Sequence, residues 1–233
     1  MDSSAQHRTP RDVAAVVEQF NAYVLGASFP CLGARAAVNS GRAHFGSYGR
    51  LGGAGFQDQQ LICNELASFS AAYAEPCEAP ATYVALFDDD VRSEEDFERR
   101  LWRHLQRMHA CDRLTSDWAR TVSSDPESSN FSFSIAGRAF FVVGLHPRAS
   151  RIARRAPVPC LVFNFHDQFE QLRASGKYAK MQRLIRARDV ALQGDANPVL
   201  SAFGDASEAR QYSGRIVYAN WRCPFHAGAS HVR

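Results

Sequence analysis

The feature that most constrains the fold is a change to period-two hydrophobicity within residues 131–145. Apolar residues alternate with serines over residues 131–135, and a near-continuous apolar run follows from Ala139 to Leu145. Ala136-Gly137, between the two, is a pair that can form a tight turn. Alternation with a period of two indicates strands rather than a helix. The segment therefore predicts a β-hairpin, and any fold of this chain must contain a sheet.

Two further strands are predicted from short apolar runs, Thr82–Phe87 and Cys160–Phe165. Continuous runs of this length, bounded by polar segments, are typical of strands that are buried on both faces. Residues 41–55 contain six glycines and show no hydrophobic period, and residues 121–130 are rich in serine. Both of these segments are predicted to be loops.

Helices are predicted where apolar residues recur at helical spacing and a capping residue precedes them. The first helix is expected to start at Thr9 and Pro10, with Asp12 in its first turn. Ser93, followed by three acidic residues, is a strong start for another helix. The other predictions are a short alanine-rich helix after Cys31 that ends at Gly41, a helix through Leu61 and Phe69, and two helices over 167–174 and 177–192, broken at Ser175-Gly176.

The order of these elements mixes helices and strands, which predicts an α+β fold. We expect a single domain in which a small, mostly antiparallel sheet is covered by helices. Residues 1–8 are predicted to be a disordered tail, and residues 9–233 to form the domain.

The composition indicates which partners and which cellular location to expect. The chain has 233 residues, and 27 basic residues against 24 acidic ones give a net charge of +3. Such a balance does not suggest a nucleic-acid partner. The N-terminus is polar, and no apolar run approaches the roughly 20 residues that a spanning helix needs. The six cysteines show no C-x-x-C spacing. We therefore expect a cytoplasmic protein with reduced thiols and no membrane partner.

The segment that follows the predicted hairpin carries the densest set of functional candidates. His146 comes directly after the second strand, and four arginines follow within a few residues, Arg148, Arg151, Arg154 and Arg155. A histidine at a strand end has a fixed backbone and can ligate a metal. Arginines provide planar donors for carboxylates or phosphates. The alternative, which spacing alone favours, is a solvated basic loop beside a structural histidine.

Two cysteines are candidates for metal ligation. Cys31 lies at a predicted helix N-terminus, a position that favours the thiolate form, and Cys223 lies in the segment Trp221-Arg222-Cys223-Pro224. A single thiolate can be the axial ligand of a haem iron. The commoner role of such a cysteine is a small buried apolar side chain.

Further polar candidates lie after the last predicted strand. His166 could be a ligand, a proton shuttle or a structural contact at the start of a helix. Glu208 could accept a bidentate pair from a guanidinium group, either that of a substrate or that of Arg210. The alternative for Glu208 is an ion pair within a loop. The chain carries no P-loop, H-E-x-x-H or G-x-S-x-G motif, so those enzyme classes are not indicated.

Long motifs in fixed order resemble the YqcI/YcgG family. They cover the last half of the chain strongly and the first half sparsely. The segments that carry the resemblance are FPCLGARAA (29–37), FSFSIAGRAFFVVGLHPRASRIARR (131–155), LVFNFHDQFEQLR (161–173), IRARDVALQG (185–194), FGDASEARQYSGR (203–215) and WRCPF (221–225).

The resemblance implies a cofactor and a reaction. Members of this family in natural-product biosynthesis are haem-dependent enzymes that N-hydroxylate the guanidine group of arginine or of a cyclic arginine derivative, as in guanitoxin and D-cycloserine biosynthesis. It therefore implies haem b, dioxygen, a small guanidine substrate and an external electron donor or reductase, because no reductase domain fits in the chain. A peroxide-driven reaction and a homodimer are also open.

The residues expected to carry out this chemistry all lie within the matching motifs. His146 is the first choice of iron ligand, Cys31 the second and Cys223 the third. His166 and Glu208 are the catalytic candidates. The arginines of the basic segment, Arg148, Arg151, Arg154 and Arg155, are expected to bind haem propionates or a substrate carboxylate. Glu208, Asp205 and Glu170 are expected to hold the substrate guanidinium.

Three alternatives to this activity are considered at this point. The chain could be a haem-binding sensor or carrier without turnover, which would show an iron with two strong protein ligands. It could also be a haem enzyme that acts on a different amine, which a substrate screen would distinguish. A protein without a cofactor is a third alternative, but it leaves the arginine-rich segment unexplained.

Overall fold

A computed structural model describes residues 12–27, 29–53, 55–73, 80–198 and 206–228, with the side chain of Phe56 excepted. The predicted tail over residues 1–8 and the predicted helix start at Thr9 and Pro10 lie outside these ranges. Within them, the first helix begins at Val13, and Asp12 is its N-cap, accepting a hydrogen bond from the Ala14 amide at 3.0 Å. Asp12 therefore precedes the helix instead of lying in its first turn.

The described residues form seven α-helices, five strands and one 3-10 turn. The helices are α1 (Val13–Leu25), α2 (Leu32–Asn39), α3 (Phe56–Ala72), α4 (Glu94–Asp112), α5 (His166–Ala174), α6 (Lys177–Gln193) and α7 (Ala209–Tyr212). The strands are β1 (Ala43–Tyr48), β2 (Thr82–Phe87), β3 (Phe133–Ile135), β4 (Arg138–Leu145) and β5 (Cys160–Phe165). The 3-10 turn is Ile152–Arg154.

The strands form one sheet in the order β1-β2-β5-β4-β3. β1 and β2 are parallel, and the other neighbouring pairs are antiparallel. The β3–β4 hairpin turns at Ala136 and Gly137, which both have positive φ angles, 53° and 71°. Two successive residues with positive φ are what a tight hairpin turn requires. The predicted fold class, α+β with a small, mostly antiparallel sheet covered by helices, is confirmed.

Alternate residues of the central strands face two different cores. On β2, Tyr83, Ala85 and Phe87 pack toward α3 and α4, whereas Val84 and Leu86 pack toward α1 and α2. The sheet is therefore covered on both faces, which explains why β2 is apolar at nearly every position.

Most predicted elements are confirmed, and one loop prediction is wrong. The strands β2 and β5, the hairpin, the start of α4 at Ser93 and the break between α5 and α6 occur where the sequence indicates. Residues 41–55 are not a continuous loop, because β1 occupies Ala43–Tyr48. This strand pairs in parallel with β2 along its whole length, and its pairing rather than its own hydrophobic pattern defines it.

The membrane prediction can be compared with the helices directly. Across the described ranges, none of the helices combines the length and the apolar character needed to cross a bilayer.

Candidate functional site

The ends of β4 and β5 place the two histidine candidates. His146 directly follows β4, and His166 directly follows β5 as the first residue of α5. The two strands are antiparallel, with Leu145 opposite Cys160 and Phe140 opposite Phe165. The stretch of strand between these pairs spans about 17 Å at the usual rise per residue. The two histidines therefore lie at opposite ends of the strand pair. We call these two ends the His146 end and the His166 end.

At the His146 end, Arg151 is held by carboxylates of the protein itself. It is 4% exposed. Its Nη2 atom lies 2.5 Å from Oδ2 of the equally buried Asp189, and its Nη1 atom pairs with the exposed Asp195. These contacts attach the basic segment to α6 and to the residues that follow it. Both Nη atoms of Arg151 are consequently engaged by the protein, and the residue is poorly placed to bind a propionate.

Arg154 is also engaged, but by backbone carbonyls. It donates from Nη1 to Gly144 O at 2.9 Å and from Nη2 to Gln211 O at 3.1 Å. Burial lowers the pKa of its guanidinium. Arg155 is more exposed and donates to Ala149 O at 2.7 Å. Arg148 is exposed as well. Of the four arginines expected to bind propionates, only Arg148 and Arg155 lie at the surface.

The His146 ring is enclosed by the core. His146 is 1% exposed, and its ring stacks on that of Phe97 with 4.3 Å between the centroids. Burial lowers the pKa of this imidazole to about 4, against a smaller opposing effect of Glu94. The ring is therefore neutral at physiological pH, the form that ligates metals. Its Nδ1 atom is buried and has no hydrogen-bond partner within the described part of the chain.

The two cysteine candidates are in environments that favour the protonated thiol. Cys31 is the N-cap of α2, as predicted, and its Sγ accepts from the Ala34 amide at 3.5 Å. Burial nevertheless raises the pKa of this thiol, outweighing the effect of the helix amides. Burial also raises the pKa of Cys223 to about 12. The expectation that the helix terminus makes Cys31 a ready thiolate is therefore wrong, because desolvation opposes the charged form more strongly.

At the His166 end, one imidazole lies between two carboxylates. His166 is 6% exposed. Its Nδ1 atom lies 3.5 Å from Oε1 of Glu208, which is 3% exposed, and its Nε2 atom lies 3.4 Å from Oε1 of Glu170, whose side chain is 50% exposed. One nitrogen therefore faces a buried carboxylate and the other faces a carboxylate close to solvent. Glu170 also pairs with Arg173.

Tyr212 contacts Glu208 and was not among the residues predicted from the sequence. It is fully buried, and its hydroxyl lies 3.4 Å from Oε2 of Glu208 and accepts from the Phe133 amide at 3.1 Å. Burial raises the pKa of this phenol well above its usual value, so the hydroxyl stays a neutral donor. The only signal in the sequence was an aromatic residue within an unusually polar segment.

The segment Ser207–Arg215 connects the two ends. Its Glu208 contacts His166, whereas the carbonyls of Gln211 and Tyr212 accept from Arg154 at the other end of β4. Asp205, the remaining predicted substrate residue, lies outside the described ranges.

The side chains at these two ends can be compared with what a haem iron requires of its protein ligand. Within the residues that the structure describes, no three His, Cys, Asp or Glu side chains converge as a metal cluster, whereas haem iron needs only one axial side chain. An imidazole whose second nitrogen faces a buried carboxylate is the usual form of a protein metal ligand, because the carboxylate fixes the tautomer and raises the basicity of the ring. His166 fits this pattern. His146 fits as a neutral nitrogen donor, but its ring is covered by Phe97.

The comparison with known proteins gives one match. The model of the YqcI/YcgG family matches residues 20–226. No curated protein and no solved structure matches the chain.

Proposed function

Because the chain belongs to the YqcI/YcgG family, we propose that it is a haem b-dependent monooxygenase that N-hydroxylates the guanidine group of free arginine or of an arginine-derived amino acid. The reaction is the one that the family resemblance implies. It takes dioxygen and electrons from an external donor, or a peroxide.

The observation that carries the proposal is the contact between His166 and Glu208. A carboxylate that is 3% exposed is costly to bury unless a partner stabilises its charge. Here the partners are the His166 ring and the Tyr212 hydroxyl. In this arrangement Nδ1 faces Glu208 and Nε2 faces the half-exposed carboxylate of Glu170, so we propose Nε2 as the nitrogen that binds iron. We therefore propose His166 as the first choice of iron ligand. His146, the first choice from the sequence, becomes the second.

The cysteines come after both histidines in this order. A thiol must lose its proton to bind iron, and burial opposes that loss at Cys31 and at Cys223. A histidine binds iron in its neutral form, so no comparable cost arises.

The remaining candidates receive different roles. Glu208 orients His166 and is enclosed, so we propose Glu170 and Asp205 as partners of the substrate guanidinium. Glu170 would have to turn away from Nε2 for iron to bind there, which its half-exposed side chain allows. Arg148 and Arg155 are the arginines that remain for a propionate or a substrate carboxylate.

Haem, when bound, supplies the activation of oxygen. The chain itself would contribute the His166 imidazole that holds the iron, the buried Glu208 carboxylate that faces this ring, and the apolar surroundings. Phe141 of β4 contacts Phe169 of α5 and also Tyr212, with 5.6 Å and 5.8 Å between ring centroids, and we propose that these rings form part of the surroundings. A dry environment strengthens the interaction between His166 and Glu208, since a low dielectric strengthens charge–dipole contacts.

The test is reconstitution followed by turnover. The protein is loaded with haemin, its absorption spectrum is recorded, and it is then incubated with arginine or cyclic arginine derivatives, dioxygen and a reductase system. We expect a Soret band and a product that has gained one oxygen atom on a guanidine nitrogen, detected by mass spectrometry.

Two results would contradict the proposal in different ways. Failure to take up haem under any loading condition excludes the cofactor. A loaded protein that converts none of the guanidines, with reductant or with peroxide, excludes the activity and leaves a haem-binding sensor or carrier, or an enzyme that acts on a different amine.

A further inference from the structure

A groove on the far side of α4 lies apart from both histidines. It runs between α4 and residues 215–224, has a volume of about 470 Å³ and opens to solvent. We call it the α4 groove. Its α4 lining is Glu95, Glu98, Arg99, Trp102, Arg103, Gln106 and Arg107, and its other side is lined by Arg215, Trp221, Arg222 and Pro224. Neither the sequence motifs nor the proposed function assigns it a role.

Two indole rings form the apolar part of the groove. Trp102 is 2% exposed, and Trp221 is partly exposed, with 6.2 Å between their ring centroids and 44° between their planes. The Trp221 indole donates to Oε1 of Glu98 at 2.6 Å. The Trp102 indole N–H is buried and has no acceptor within the described part of the chain.

Two arginines give the groove an uncompensated positive charge. Arg107 donates from Nη1 to the carbonyls of Gly52, at 2.8 Å, and Gly53, which are neutral acceptors. Arg103 is exposed and forms no ion pair within the described ranges. Glu95 offsets part of this charge.

The other arginines of the groove are neutralised by carboxylates. Arg99 pairs with Asp96, Arg215 with Glu98, and Arg222 with Glu127 at 2.8 Å. The cations available to a ligand are therefore Arg103 and Arg107, one helical turn apart on α4 and on the same face.

We propose that the α4 groove binds a planar aromatic ligand that carries a phosphate or carboxylate group. The ring would pack on the partly exposed Trp221 indole, which itself contacts the enclosed Trp102 indole. The anionic group would lie between Arg103 and Arg107, whose guanidinium groups form charge-assisted hydrogen bonds with such oxygens. A ligand with an aromatic part and an anionic part matches both features, whereas inorganic phosphate or an uncharged ring matches only one.

This inference does not rest on the proposed oxygenase activity. The two are connected by packing, because Trp102 stacks on Tyr212, with 5.6 Å between centroids, and Tyr212 contacts Glu208. A reduced flavin nucleotide has the chemistry of the proposed ligand and would also be an electron donor for the oxygenase. Binding can be measured on the full chain without haem.

The experiment titrates the haem-free protein with flavin mononucleotide and follows the quenching of flavin fluorescence, which stacking on an indole produces. We expect saturable quenching that weakens as salt rises, because the phosphate contact is electrostatic. Riboflavin, which has the same ring without the phosphate, is expected to bind about tenfold more weakly, a typical loss for a charged contact.

Charge-reversal variants separate a built site from general attraction. Arg103→Glu is expected to weaken flavin mononucleotide binding at least as much as removal of the phosphate. Arg120→Glu makes the same change of net charge at another exposed position and is expected to leave binding unchanged. Both residues are exposed, so both variants should fold. The absence of saturable quenching would overturn the proposal, and so would an equal loss in the two variants. Neither outcome bears on haem uptake, which tests the proposed function separately.

Discussion

The two ends of the β4–β5 strand pair use similar residues for different purposes. At the His146 end, His146, Arg151 and Arg154 are enclosed, and the two arginines donate to acceptors that the protein provides. At the His166 end, the imidazole lies between a buried carboxylate and one close to solvent. The comparison teaches that a dense set of basic residues can be structural, whereas a single oriented imidazole is better suited to bind a ligand.

Arg151→Met is expected to have the largest effect and tests whether the His146 end is structural. The change leaves the Asp189 carboxylate buried without its partner, which typically destabilises a protein by about 3–5 kcal/mol. Urea unfolding followed by circular dichroism measures the loss. The double variant Arg151→Met/Asp189→Leu should recover much of it, because no unpaired charge remains. A loss below about 1 kcal/mol would show that the contact is not structural.

Glu208→Gln tests the His166 end. The change keeps the side-chain volume but removes the charge that orients the imidazole, and loss of such a partner typically lowers metal affinity about 10–100-fold. Haem transfer to apomyoglobin, followed by absorption, measures the affinity. Glu170→Gln removes the charge on the other side of the same ring and serves as the matched control. An equal effect of the two changes would contradict the role assigned to Glu208.

The pH dependence of stability tests the enclosure of His146. The folded pKa of His146, about 4, is below its ordinary value of 6.5, so protons bind the unfolded state more readily. This residue should therefore reduce stability as pH falls from 6.5 toward 4, by about 1–2 kcal/mol. His146→Phe should flatten that part of the stability curve, and NMR should show an imidazole that stays neutral down to about pH 4. Titration of the ring near 6.5 would mean that it is not enclosed.

Arg148→Met should have the smallest effect. This residue lies in the same basic segment as Arg151 but is exposed. Substitutions at such positions usually change the free energy of unfolding by less than about 0.5 kcal/mol. The same urea unfolding measures it. A loss as large as that of Arg151→Met would show that the whole segment is structural, including the arginines proposed for ligand binding.

The sequence predicted those elements whose signals are local. β5 was predicted with its observed ends, because its apolar run is continuous and bounded by polar residues. The break between α5 and α6 was also predicted, and Gly176 there has a φ angle of 70°, which glycine adopts readily.

β1 could not be predicted because its evidence is not local. Its central Gly46 looks like a loop residue in the sequence. In the structure, a Cβ atom at this position would collide with the hydroxyls of Tyr48 and Tyr83 and with the Glu65 carboxylate. The glycine is therefore explained by the close approach of side chains from β2 and α3, which only the tertiary structure shows.

The candidate site was predicted as a set of residues but not as an arrangement. His166 and Glu208 were both named from the sequence, but their contact depends on α7 packing against β4, far along the chain from α5. In the sequence, the four arginines after His146 look like a ligand-binding cluster. The fold shows that Arg151 pairs with Asp189 and that Arg154 donates to the carbonyls of Gly144 and Gln211. Neither set of contacts can be predicted from the sequence. Burial also reversed the expected behaviour of the Cys31 thiol.

The proposed function depends most directly on His166, oriented by Glu208, as the iron ligand. The most direct test compares haem-loaded His166→Gly and His146→Gly by absorption spectroscopy, after circular dichroism has shown that both fold. Added imidazole is then used to replace the missing side chain. We expect His166→Gly to lose the native Soret band and to regain this band with imidazole, whereas His146→Gly should keep the band. If His146→Gly does not fold, His146→Gln replaces it. Loss and rescue at position 146 with an unchanged spectrum at position 166 would contradict the claim.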